Sequence, residues 1–182
     1  MTSRIYRKLK KIPGVVYAGF VFIILIVAFS QSGCGVYKFK DISIPDSIKV
    51  VKVNNIENKA RYINPQLAPK LTDAVKRKIV SQSKLKQTNG DDADWEITAS
   101  IRDYSFGTGG ISNQRVTQNK LNVGVHIEVK SVKEGKVINQ YDVSRSFPYD
   151  GTLSLQEAEK RLESDMLRDL SDDIFNRLFS NW

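Results

Sequence analysis

An α+β fold is what this sequence predicts: a two-layer sandwich whose four-stranded sheet carries two amphipathic helices on one face, in the order β-α-β-β-β-α. Three patterns predict it. Leu67, Leu71, Val75 and Ile79 recur at every fourth residue, with Ala68 and Ala74 beside them, as on one face of a helix. Leu155, Ala158, Leu162, Met166, Leu170, Ile174 and Leu178 do the same over a longer stretch. Between these, Leu121, Val123, Val125, Ile127 and Val129 alternate with Asn122, Gly124, His126, Glu128 and Lys130, the signature of a strand with one wet face.

The elements follow in order. Ile48 to Ile56 is rich in β-branched residues and reads as the first strand. Asn58 to Asn64 is a polar turn. The start of the first helix has two readings. Asn64-Pro65 has the form of an N-cap followed by proline at the first helical position. Pro69 lacks an N–H and clashes inside a helix, which would delay the regular helix to its own position. The helix ends by Lys86, and Thr88-Asn89-Gly90-Asp91 is a loop signal. Trp95, Ile97, Ala99 and Ile101 alternate with Glu96, Thr98, Ser100 and Arg102 and give the second strand. Gly107 to Lys120, GTGGISNQRVTQNK, reads as a polar, glycine-rich, flexible loop. Lys133-Glu134-Gly135-Lys136 is a hairpin turn after the third strand. The fourth strand spans Val137 to Phe147, and Pro148 to Leu153 breaks it. Ser154 with Glu157 forms a capping box at the start of the second helix, Ser154 to Phe179.

The N-terminus has a separate character. Residues 1–33 hold Arg4, Arg7, Lys8, Lys10 and Lys11 and no acid, and Val15 to Phe29 is almost wholly apolar. A basic start, a short apolar run and small residues before a cut define a secretory signal. Ser32-Gly33-Cys34 gives it the lipoprotein form, in which the thiol of Cys34 is acylated, although Gln31 stands where leucine is usual. The alternative is an uncleaved membrane anchor. A span needs about 20 apolar residues, and this run has fifteen. The expected organisation is a signal peptide over 1–33, a lipidated tether over 34–46 and one domain over 47–182. Cys34 is the chain's single cysteine, so no internal disulfide is possible. A domain of this size buries enough surface to fold without one.

Charge and side-chain inventory narrow the chemistry. The formal charge is +8. Without the five basic residues of the first segment, 23 basic side chains face 20 acidic ones. That balance does not suggest a nucleic-acid partner. His126 is the one histidine, on the polar side of its strand, and reads as solvated. With Cys34 lipidated, one histidine cannot build a zinc site. Asp91, Asp92 and Asp94 lie in a turn, Asp172 and Asp173 on a helix surface, and both groups read as solvated. The glycines at 107, 109 and 110 match no phosphate-binding loop. No cofactor and no catalysed reaction are expected.

Three stretches carry a resemblance. Gly33-Cys34-Gly35-Val36-Tyr37-Lys38-Phe39, Ile63-Asn64-Pro65-Gln66-Leu67 and the end from Asp173 to Trp182 resemble the LptE family of lipopolysaccharide-assembly lipoproteins. So does the β-α-β-β-β-α order. The resemblance implies a protein at the inner leaflet of the outer membrane that plugs the lumen of a large β-barrel, LptD. It implies help in assembling that barrel and in delivering lipopolysaccharide, which such proteins contact through basic side chains. Phosphorylated glycolipid favours Arg and Lys by charge and multiple donors. Arg115 and Lys120 in the expected loop, and Arg102 and Lys130 on the polar strand faces, are the candidate lipopolysaccharide or partner contacts. The alternative for each is an ordinary solubilising charge. The rival function is another periplasmic lipoprotein, such as an activator of a cell-wall synthase. About a dozen residues between Cys34 and the first strand span roughly 40 Å at most, which favours a partner at the membrane. The domain is expected to face the periplasm.

Overall fold

The computed structural model describes residues 44–112 and 115–180, without the side chains of 111, 112 and 115–117. The chain divides into two compact units, Met1–Phe39 and Lys40–Trp182, and the described residues lie in the second. The expected signal peptide, Cys34 and the tether up to residue 43 lie outside them. Among the described residues no helix is long and apolar enough to cross a membrane.

Among the described residues, six strands and two helices follow one another: β1 Val50–Val53, β2 Glu57–Asn58, α1 Leu67–Gln82, β3 Lys86–Gln87, β4 Trp95–Ser112, β5 Arg115–Ser131, β6 Lys136–Asp150 and α2 Leu155–Phe179. The α+β class holds, but the four-stranded sheet is corrected to six strands in the order β3-β1-β4-β5-β6, with β2 on β4. The two additions are two residues long, too short to show alternation. They form because a neighbouring strand leaves backbone groups in need of partners. β1 runs parallel to both β3 and β4, and β4, β5 and β6 are antiparallel.

Sequence expectation and structure differ at several boundaries, each for a local reason. β1 stops at Val53 because Asn54 turns its side chain onto Glu96 and Thr98, and the N–H of Ile56 donates to Thr72 on α1. α1 starts at Leu67 with Pro69 inside its first turn, where an N–H would find no helical partner anyway. The Asn64 side chain caps the approach by accepting from the N–H groups of Gln66 and Leu67. β6 continues through Pro148 to Asp150. It is an edge strand, so a proline there need cost no ladder bond. Gly135 adopts φ +67 in the β5–β6 turn, a left-handed conformation that glycine takes without strain.

One core joins the layers. Leu71, Val75 and Ile79 of α1 and Met166, Leu170 and Ile174 of α2 meet Ile97, Ile101, Val123, Val125 and Ile127 of the sheet. The β5 members are the alternate residues read from the sequence, so this sheet face carries the helices. Lys70 and Lys78 of α1 pair with Glu163 and Asp172 of α2. Arg145 of β6 forks onto Asp173 at 2.7 Å through both Nε and Nη2. Asp172 and Asp173 are thus the acidic ends of inter-element ion pairs, a correction to their reading as solvated.

Candidate functional site

Gly107–Ser112 and Arg115–Lys120 are strand, not loop. β4 and β5 pair without interruption from Trp95↔Ser131 to Ser112↔Arg115, so the glycine-rich stretch is the far half of a long antiparallel ribbon. At about 3.3 Å per residue, the 18 residues of β4 extend roughly 60 Å. Core burial on this ribbon stops at Tyr104 on β4 and Leu121 on β5. Beyond them the strands continue as an arm, with β6 alongside as far as Gln118↔Asp150. Register shifts at Ile101/Asp103 and between Thr108 and Ile111 bend it. Gly109 lies at the second irregularity, where a Cβ would come within 3.3 Å of the Gln118 carbonyl oxygen. Gly109 marks close backbone approach in a bulged strand, and such glycines are why composition alone suggested a loop.

An aromatic cluster marks the base of the arm. Tyr62 stacks on Tyr104 with ring centroids 5.5 Å apart, and Phe106 meets both edge-on. Tyr104 is buried, donates from its hydroxyl to Glu159 of α2 at 2.7 Å and accepts from Asn64. Burial, and then the neighbouring Glu159 carboxylate, push its phenol well above the ordinary range. Tyr62 and Phe106 remain partly exposed. Tyr62 is far in sequence from Tyr104 and Phe106. They converge because Tyr62 lies before α1 while the other two are alternate residues of β4. A groove of about 430 Å³ opens beside the cluster between the N-terminal halves of the helices, lined by Tyr62, Gln66, Glu159 and Glu163 among others.

The uncovered sheet face is a polar ladder. Lys130 lies 3.8 Å from Glu96. His126 Nδ1 is 2.7 Å from Asp142 and its Nε2 is 3.2 Å from Glu128. Asn122 accepts from Ser146 at 2.6 Å. His126 is on the polar face as expected, but it is buried among its neighbours rather than solvated. Among the described residues no group of histidine, cysteine and carboxylates could hold a metal.

The four basic candidates do not form one cluster. Lys120 is exposed on the arm, its stem passing over Gly107. Arg115 opens β5 at the tip, its side chain outside the description. Arg102 is exposed at the first register shift. Lys130 is ten residues from Lys120 on the same strand, about 34 Å away, and engaged by Glu96. The arm therefore groups Arg115 with Lys120 and leaves Lys130 at the opposite end. Cys34 lies outside the described residues.

The family described as Lipopolysaccharide-assembly, LptE, matches residues 48–178. No curated protein matches the sequence. The fold is similar to that of a minor lipoprotein from Acinetobacter baumannii, 14% identical, with a TM-score of 0.50 over 72% of this chain and 93% of that one. A lipoprotein B from Nitrosomonas europaea is 17% identical over 78% of this chain and 86% of that one, with a TM-score of 0.48.

Proposed function

Because the chain belongs to the LptE family of lipopolysaccharide assembly, we propose that it is an outer-membrane lipoprotein, anchored through Cys34, that seats in a large β-barrel of the LptD kind and presents its arm to lipopolysaccharide. It acts by binding and carries out no reaction. The observation that carries this reading is the composition of the arm. From Tyr104 to Ile127 there is no acidic residue, while Arg115 and Lys120 supply positive charge. The surrounding side chains are largely Ser, Thr, Asn and Gln, which hydrogen-bond to sugar and phosphate. An anionic glycolipid meets donors and cations on the β4–β5 ribbon, and the carboxylate that β6 brings beside Gln118, that of Asp150, is already taken by Thr152. A β-ribbon is also a stiffer support for such contacts than a loop of equal length. The folded domain faces the periplasm and the barrel lumen. The rival reading, an activator of a cell-wall synthase, has no feature of the arm in its favour.

The experiment is lipopolysaccharide binding by the purified protein and by the double variant Arg115→Glu, Lys120→Glu. Reversing two charges is expected to weaken binding at least tenfold, with unfolding by denaturant unchanged because both positions lie beyond the core. Unaltered binding by a folded double variant would refute the arm as the contact surface.

A further inference from the structure

The end of the domain away from the arm has a surface of its own. A groove of about 840 Å³ runs between the segment leading into β1 and the end of α1 with the turn that follows. Ile44, Ile48 and Leu85 contribute its apolar lining. Lys49, Lys84 and Lys86 stand exposed around it, against one lining acid, Asp46. The ion-paired lysines of the described residues are others: Lys52, Lys59, Lys70, Lys78, Lys130 and Lys136. Nearby acids are engaged elsewhere. The Asp94 carboxylate takes the backbone N–H groups of Lys49 and Val50, and Asp91 pairs with Lys52.

Chain connectivity sets what this surface can meet. Ile44 is where the N-terminal segment enters the described domain, and it lines the groove itself. Cys34 and Ile44 are ten positions apart. Fully extended, that stretch reaches about 35 Å, so a lipid on Cys34 holds this pole within that distance of the bilayer. The arm lies at the other end, because β4 begins beside Val51 and runs away from it. We propose that this pole docks on an anionic lipid surface, with Lys49, Lys84 and Lys86 on headgroup phosphates. The inference rests on acylation of Cys34. A lysine next to an anionic membrane contributes roughly a fivefold factor in affinity, so three act together at about a hundredfold. The attraction fades beyond a Debye length of about 8 Å at physiological salt, which a tether of this reach readily brings within range.

The test uses the acylated protein purified from membranes and reconstituted into vesicles of neutral phosphatidylcholine, or of phosphatidylcholine with a third of phosphatidylglycerol. Backbone hydrogen exchange is followed over residues 44–50 and 81–87, and mass analysis of the N-terminal peptide reports acylation of Cys34 independently. Exchange in both segments is expected to slow several-fold in the anionic vesicles. High salt and the triple variant Lys49→Gln, Lys84→Gln, Lys86→Gln should each remove the effect. Equal exchange in both vesicle types, with Cys34 acylated, overturns the proposal. The same protection from inorganic phosphate in neutral vesicles also overturns it, in favour of a site for free phosphate. An unacylated Cys34 refutes the anchor separately.

Discussion

Asp94 ties the start of β1 to the start of β4. Its carboxylate accepts from the N–H of Lys49 at 2.8 Å and of Val50 at 2.9 Å, and its own N–H donates to the Val50 carbonyl. These two backbone donors hold its carboxyl below the usual carboxylate range. The folded state therefore releases this proton more readily than the unfolded one. The stability it contributes is complete above the ordinary carboxylate range and is lost as pH falls through the lowered folded value. Asp94→Ala is expected to cost about 1 kcal/mol at neutral pH, a modest figure because the group is partly in water. Urea denaturation should show the gap between wild type and variant closing in acid. At this scale the sequence misled in an instructive way. Asp94 read as a solvated turn residue because its partners are backbone groups 44 and 45 positions away. His126 was misjudged for the same reason, since Asp142 comes from the neighbouring strand.

At the scale of elements, the helices were the most legible. Their apolar stripes are set by a local period, and the Ser154–Glu157 capping box is present as both of its reciprocal bonds. Ser154→Ala should lower stability by about 1 kcal/mol, measured by thermal or urea unfolding, because it removes the acceptor for the Glu157 N–H. Strand length was much less legible. A strand shows itself by alternation only while one face is buried, and on β4 and β5 that burial ends near Tyr104 and Leu121. Beyond this point the described side chains, Phe106 apart, are small or polar, the alternation disappears, and the glycines dominate the reading. β2 and β3 escaped notice because two residues carry no period. Lys120 and Arg115 became candidates once the resemblance implied a phosphorylated glycolipid, yet their separation from Lys130 emerged only once the loop became a ribbon.

Taken whole, the molecule has two ends with different surfaces, joined by a core that fixes their separation. One end receives the N-terminal segment beside Lys49, Lys84 and Lys86. The other is the bulged arm, braced at its base by Tyr62, Tyr104 and Phe106. The proposed lipid anchor near the first end and the proposed ligand-facing role of the arm at the second suit a protein that reaches from the membrane surface into a barrel. Seated in a barrel as proposed, the arm lies within reach of the barrel wall while it faces lipopolysaccharide. Site-specific photo-crosslinking in the native outer membrane tests this, with the reactive group placed at Thr108, exposed on the arm, and at Lys133 in the β5–β6 turn at the other end. An adduct between Thr108 and a large β-barrel protein is the expected result. No barrel adduct at Thr108, with either a cell-wall synthase or nothing in its place, would show that the arm does not enter a barrel.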